Sequence, residues 1–225
     1  MTRRTPETRR TLALDTSCGE AVVALLEGTT ARATERWSGR PAEGLRPALQ
    51  RCIAQVGWSP RDLDLVVVGR GPGSFTGTRV ALAMAKGLAI SLGVDVVGVS
   101  SLLSLARSAG GDVSVLLDAG RGEVYGARVS VTGEIHKGPL LGAPAEIAVA
   151  LGDPLVAVKD LAEGVRVVSL DPIAVALEGA KRFDRDGSDD AASLEPIYVR
   201  GADAALPATP LRVGYSASSS SKSDA

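Results

Sequence analysis

The sequence has few of the residues that build metal sites, disulfide networks and base-stacking surfaces. Its 225 residues include two cysteines and one histidine, and aromatic residues make up 3% of the chain. Cys18 and Cys52 cannot form a disulfide framework or a metal cluster, and a single histidine, His136, excludes a site built on two histidines. Few aromatic rings leave little surface on which nucleic-acid bases can stack. We therefore predict no metal and no cofactor, and we interpret both cysteines as free thiols in a reducing cytoplasm.

The charges are balanced and long apolar runs are lacking. Lys plus Arg number 25 and Asp plus Glu number 26, which gives a formal net charge of -1. Such a balance does not favour binding of nucleic acid by this chain alone. Lys86 interrupts the longest apolar stretch, so no membrane span is predicted. The start, MTRRTPETRR, is expected to be a loose tail without signal-peptide form, and the Ser-rich end is expected to be disordered.

The stretch GRGPGSFTGTR at 69–79 lies between a strand-like run and an apolar run. Glycines before a helix can cradle a phosphate, because the helix N-terminus offers unpaired N–H groups. The letters match neither a dinucleotide fingerprint, which needs a glycine at Thr76, nor a P-loop, which needs Gly-Lys-Ser/Thr where Gly77-Thr78-Arg79 stands. We interpret the stretch as a helix start, with Ser74 or Thr76 as N-cap. The residues assigned to it are Gly71, Pro72, Gly73, Ser74, Phe75, Thr76 and Gly77.

An internal repeat indicates the architecture. LALDTSCGEAVVA at 12–24 aligns with VLLDAGRGEVYGA at 115–127, so that Asp15 matches Asp118 and every matched pair is 103 positions apart. Each copy has the pattern of a hairpin: an apolar strand, an aspartate, a glycine-containing turn and a second strand. A chance match of two hairpins is the alternative, but the constant offset favours duplication.

Hydrophobic periodicity predicts a similar plan for both halves. The predicted elements are strands 11–17, 20–27 and 30–37, helix 43–57, strand 64–69, helix 77–92, strand 95–99 and a helix from 101, followed by strands 113–118, 122–130 and 133–138, helix 143–150, strands 155–158 and 165–169, and helix 171–182. The acidic stretch at 183–190 is predicted to be a surface loop. The fold class is two-lobed α/β with mixed sheets. We assign lobes to 11–110 and 111–200 and tails to 1–10 and 201–225.

Four segments resemble the TsaB (YeaZ) family in order and spacing: LALDTSCGEAVVAL, GRGPGSFTGTRVALAMAKGLA, VLLDAGRGEVYGAR and LEPIYVR. The resemblance implies an actin-like (ASKHA, ribonuclease H-like) fold with duplicated mixed sheets flanked by helices. It also implies a cytoplasmic, non-catalytic subunit of the complex that forms N6-threonylcarbamoyladenosine (t6A) at position 37 of tRNAs reading ANN codons. The implied partners are a TsaD-like transferase paralogue and a TsaE-like ATPase, with tRNA contacted only through the complex. SGRPAEGLRP departs from the family's His-Ser-Glu-like run, so only a helix start is assigned there.

The hairpin aspartates Asp15 and Asp118 have two possible roles. In the actin-like superfamily such hairpins contact metal and nucleotide phosphates, whereas here, without a complete phosphate loop, we interpret them as degenerate phosphate hairpins. Their carboxylates then bond backbone N–H groups two residues on. No catalytic residue is assigned, because TsaD-type chemistry needs a metal held by two histidines. An active small-molecule kinase or ATPase and a structural homodimer stay open as alternatives.

The helix at 77–92 is predicted to bind the partner. Its core face is predicted to comprise Val80, Ala81, Met84, Leu88 and Leu92. The opposite side is apolar where an ordinary surface helix is polar, and an apolar patch rimmed by charges is typical of a partner surface. The predicted interface residues are Leu82, Ala89 and Ile90 beside Arg79 and Lys86, with the small residues Ala83 and Gly87 allowing close approach. Pairing with a second copy, or burial of this side within the chain, remain alternatives.

Overall fold

The computed structural model describes residues 4–199. The first half contains β1 (Arg10–Asp15), β2 (Ala21–Glu27), β3 (Thr30–Trp37), α1 (Pro41–Val56), β4 (Leu65–Gly69), α2 (Phe75–Leu92), β5 (Asp95–Val99) and α3 (Ser101–Ala109). The second half contains β6 (Val113–Gly120), β7 (Glu123–Val129), β8 (Ile135–Gly142), α4 (Pro144–Leu151), β9 (Leu155–Ala157), β10 (Arg166–Val167) and α5 (Pro172–Asp186). The Ser-rich end lies outside the described residues. None of the helices within 4–199 is long and apolar enough to cross a lipid bilayer.

The strands form two five-stranded sheets with the same topology. The first sheet has the order β3-β2-β1-β4-β5 and the second the order β8-β7-β6-β9-β10. In each, the first three strands are antiparallel and the last two run parallel to the first. This repeated topology confirms the predicted two-lobed fold with duplicated mixed sheets. Apart from a short 3-10 helix at Pro60–Asp62, which occurs in the first copy alone among the described residues, the copies differ because the link between β9 and β10, residues 158–165, forms no helix and α2 has no counterpart.

The sheets and helices stack in five layers. Helices α1 and α2 cover the outer face of the first sheet around a core that includes Leu12, Leu45 and Val66. Helices α3 and α5 lie between the two sheets in a central core to which both sheets contribute. Helix α4 covers the outer face of the second sheet. The boundary assigned near residue 110 therefore falls in the turn between α3 and β6, whereas the apolar interior is continuous between the lobes.

The N-terminal segment is attached to the body of the protein. Arg4 Nη1 pairs with Asp64 Oδ1 at 2.9 Å. Arg9 is 8% exposed, pairs with Asp184 at 2.6 Å and lies over the Phe183 ring. The expectation of a loose tail is therefore wrong for residues 4–9, because their arginines meet carboxylates that are distant in the sequence.

The chain after α5 forms a strap, defined here as residues 187–199, that runs past β5 and α2. Asp189 accepts two hydrogen bonds from Arg182, at 2.5 and 2.6 Å, and a third from the Gly98 N–H at 2.8 Å. Leu194 inserts into the core beneath α2 and is 5% exposed. The prediction of a surface loop at 183–190 is thus wrong in part, because α5 continues to Asp186 and Asp189 protects the edge of β5.

Candidate functional site

The glycine-rich loop fixes the start of α2 against the first hairpin. Ser74 is the N-cap, and its Oγ accepts the Gly77 N–H at 3.1 Å. The Ser74 N–H donates to the Ser17 carbonyl at 2.8 Å. A Cβ on Gly77 would overlap the Thr16 carbonyl oxygen. The loop therefore packs closely on the first hairpin, and its own side chain caps the helix where a phosphate would bind in a phosphate loop.

The first hairpin aspartate is buried and fully engaged. Asp15 is 0% exposed, and its two oxygens accept hydrogen bonds from the Ser17 N–H and the Ser101 hydroxyl, both at 2.7 Å. Burial raises the pKa of Asp15, although hydrogen bonds from Ser17 and Ser101 partly oppose the shift. The carboxylate thus ties the hairpin to the start of α3.

The second hairpin aspartate is exposed. Asp118 Oδ1 accepts the Gly120 N–H at 2.8 Å, the same bond to the residue two positions on. Its other oxygen pairs with Lys159 Nζ at 2.6 Å. The hydrogen bond from Lys159, followed by that from Gly120, holds the pKa of Asp118 below its usual value. The two hairpins share the turn bond and differ in burial.

A cleft of about 1230 Å³ opens between the two hairpins. Its lining residues are Ser17, Cys18 and Gly19 of the first hairpin, Leu117, Asp118, Ala119, Gly120, Arg121 and Tyr125 of the second, Gly73, Ser74, Phe75 and Arg79 at the start of α2, Val158 and Lys159 after β9, and Tyr198 and Val199 of the strap. Asp118 therefore faces the cleft, whereas Asp15 does not line it. Sequence reasoning missed Lys159 and Tyr198, because each lies far along the chain from the motif that it meets.

The two cysteines occupy different environments. Cys18 lines the cleft and is partly buried, and Cys52 lies on α1 and belongs to the core over the first sheet. Burial raises the pKa of both thiols, that of Cys52 to about 12. Within residues 4–199, no three His, Cys, Asp or Glu side chains lie together as a metal site would require.

The predicted faces of α2 are wrong in part. Leu82 and Ala89, predicted to face a partner, are 3% and 4% exposed and belong to the core over the first sheet. Val80, Met84 and Leu88, predicted to be core, are only partly buried at the edge of that core. The helix is apolar on all sides, so no polar face marked its orientation. The prediction is confirmed for Ala81, which is buried over the sheet together with Ala85.

The remaining predicted interface residues divide into two groups. Ala83, Gly87, Ile90 and Arg79 are exposed, and Ile90 is 69% exposed. Lys86 is partly buried, and its Nζ donates to the strap carbonyls of Ala192 at 3.0 Å and Leu194 at 3.1 Å. Lys86 thus holds the strap and does not rim an open patch.

The solvent side of α2 carries a continuous apolar strip, which we name the outer stripe. Its members are Val80, Ala83, Met84, Gly87, Leu88 and Ile90. A Cβ on Gly87 would meet no atom within 4 Å. The fold therefore does not require glycine at this position, although glycine inside a helix costs about 1 kcal/mol relative to alanine.

Comparison with known proteins identifies the family. The family model of TsaD, tRNA N6-adenosine threonylcarbamoyltransferase, matches residues 38–169. An uncharacterized protein of Mycobacterium tuberculosis is 36% identical over 169 residues, which cover 72% of this chain and 76% of that protein. The tRNA threonylcarbamoyladenosine biosynthesis protein TsaB of Escherichia coli is 37% identical over 124 residues, which cover 52% of this chain and 54% of that protein.

A solved structure supports the same assignment at the level of fold. The structure of YeaZ from Pseudomonas aeruginosa superimposes with a TM-score of 0.74 and 24% identity, over 85% of this chain and 100% of that one. From the family model and the sequence relatives, the chain belongs to the TsaB (YeaZ) family.

Proposed function

We propose that this protein is a non-catalytic subunit of the complex that forms t6A at position 37 of tRNAs reading ANN codons. In this role it pairs with a TsaD-like transferase and activates it, a TsaE-like ATPase joins the pair, and tRNA is contacted through the complex. The observation that carries the proposal is the match to TsaB proteins whose name states t6A biosynthesis.

The outer stripe of α2 is the surface that best fits a helical partner. Ala83 and Gly87 lie one turn apart, so a partner backbone can approach closely between the larger flanking side chains. Ile90 is exposed over 69% of its surface, and burying such a side chain is worth about 1.5–3 kcal/mol. The helix behind the stripe is fixed by its buried side, by the Ser74 cap and by the strap. A rigid, apolar face is therefore available for pairing.

Support for a non-catalytic role comes from the hairpins. Both oxygens of Asp15 are occupied by Ser17 and Ser101, and Asp118 is paired with Lys159. The Gly77 N–H is taken by Ser74. The groups that would bind magnesium and phosphate in an actin-like kinase are thus engaged in contacts within the chain.

A reconstitution assay tests the function. The full chain, unmodified tRNA and threonylcarbamoyl-adenylate are combined with and without the TsaD-like and TsaE-like proteins of the same cell, and t6A is quantified by mass spectrometry. We expect no product from this chain alone and product formation by TsaD to depend on its addition. Product from this chain alone would refute the non-catalytic role. Tight binding of magnesium nucleotide that is lost in Asp118→Asn would favour a kinase.

The surface is tested by paired variants. Ile90→Asp places a carboxylate on the outer stripe and should abolish co-elution with the TsaD-like protein, because burying an unpaired charge costs several kcal/mol. Val149→Asp is the matched control, since Val149 lies on α4, across both sheets from α2, and is 86% exposed. It should pair as the wild type does. Equal pairing by both variants would place the interface elsewhere.

A further inference from the structure

Within the described residues the strap reaches the cleft at Tyr198, where its contacts change from buried to exposed. Upstream, Leu194 is buried, and the Ile197 N–H donates to the Arg70 carbonyl at 2.8 Å. One residue later, Tyr198 is 54% exposed, and its hydroxyl accepts a hydrogen bond from Arg79 Nη2 at 2.9 Å. Tyr198 thus lies at the rim of the cleft, on a segment whose preceding residues are well anchored.

Arg79 connects three parts of the molecule. It belongs to α2, it lines the cleft, and it bonds Tyr198 of the strap. Its guanidinium carbon lies 3.6 Å from the centre of the Phe75 ring, and a planar guanidinium can stack on a ring while its N–H groups donate in the ring plane. A change in the position of Arg79 therefore changes the support of Tyr198.

The outer stripe continues into Arg79. Arg79 precedes Ala83 by four residues, so the two lie on the same side of α2. A helix seated on the stripe would reach Arg79 at its end. There the charged guanidinium bonds a phenol hydroxyl, whereas a carboxylate would add an opposite charge and could accept two parallel N–H bonds from the same guanidinium. A partner carboxylate at this point would compete successfully for Arg79.

We propose that the contact between Arg79 and Tyr198 is a latch that couples the outer stripe of α2 to the cleft. In the isolated chain the latch holds Tyr198 at the rim, and a partner helix that presents a carboxylate to Arg79 releases Tyr198 and opens the cleft. The inference rests on the proposed pairing through α2, and it adds a conformational response of the cleft to that pairing.

The chain contains its own probe of cleft opening. Cys18 lines the cleft, whereas Cys52 is 0% exposed and lies on the buried side of α1. N-ethylmaleimide labelling of the full chain at one fixed pH, read by peptide mass spectrometry, gives a rate for each thiol. Tyr198→Phe keeps the ring and removes the hydrogen bond to Arg79. We expect it to raise the Cys18 rate about three- to ten-fold, the range set by the net worth of one such bond, with the Cys52 rate unchanged.

A second variant, and a measurement in the presence of the TsaD-like protein, complete the test. Arg79→Met should raise the Cys18 rate as Tyr198→Phe does, because it removes the donor. A saturating concentration of the TsaD-like protein should raise the Cys18 labelling rate of the wild type to that of isolated Tyr198→Phe. The same addition should leave the Cys18 labelling rate of Tyr198→Phe unchanged. Unchanged rates in both isolated variants overturn the latch.

The failures are distinguishable. If the TsaD-like protein co-elutes with the chain but the Cys18 rate stays constant or falls, the latch is wrong and the pairing stands. If the two proteins do not co-elute, the pairing and its coupling to the cleft both fail. Rates for the isolated variants then report only whether the Arg79–Tyr198 bond restrains the rim.

Discussion

The loss of stability in Leu82→Ala, compared with that in Ile90→Ala, tests which side of α2 is buried. Leu82 is 3% exposed, and its neighbours in the core over the first sheet include Ala81 and Ala85. Leu82→Ala leaves a cavity in a layer that helix and sheet hold at a fixed spacing, so the free energy of unfolding should fall by about 2–5 kcal/mol. That is a large part of the about 5–15 kcal/mol typical of a whole protein.

Ile90 provides the comparison on the same helix. It is 69% exposed, so Ile90→Ala should change the free energy of unfolding by no more than about 0.5 kcal/mol. Urea unfolding followed by circular dichroism measures both values, and an unchanged slope would show that the unfolded states are comparable. If Leu82→Ala costs less than Ile90→Ala, the orientation of α2 described above is wrong.

Three further changes have defined outcomes. The pKa of Asp15 is raised by burial, so the stability that its protonated form contributes is present below the unfolded-state pKa and is lost as the pH rises through the folded-state pKa. The Asp15→Asn variant lacks this titration. Its free energy of unfolding, measured by urea titration, should therefore decline less than that of the wild type as the pH rises from about 4. Gly87→Ala should raise the melting temperature, by a stabilisation of up to about 1 kcal/mol, yet weaken binding of the TsaD-like protein in calorimetry. Gly77→Ala should lower the melting temperature because its Cβ overlaps the Thr16 carbonyl, and a melting temperature equal to the wild type would contradict that close packing.

The order of strands and helices was predictable because each has a clear local signal. Strand runs such as LVVVG at β4 are apolar and β-branched, and the aspartate-glycine turns mark both hairpins. The repeat of Asp15 at Asp118 revealed the duplication, which the two sheet topologies then confirmed. The N-cap at Ser74 was one of two predicted residues, since serine before an apolar run satisfies free N–H groups.

The orientation of α2 and the course of the strap could not be predicted from the sequence, for two different physical reasons. A helix that is apolar all round has no polar side to turn toward water, so tertiary packing decides which side is buried. Contacts such as Lys86 with Leu194, or Arg79 with Tyr198, join residues more than 100 positions apart and leave no local periodicity. The attachment of Arg9 to Asp184 is of the same kind.

The absence of a helix between β9 and β10 has a consequence for assembly under the proposed pairing through α2. Duplication of a unit that carries a docking helix would place two docking helices on one chain, and a chain with two such surfaces could link partners into open-ended arrays. In the part of the chain that the structure describes, residues 158–165 occupy the position of the second copy without forming a helix. Under the proposed pairing through α2, one such helix per chain would give one partner per chain, and assembly through this surface would close at a pair.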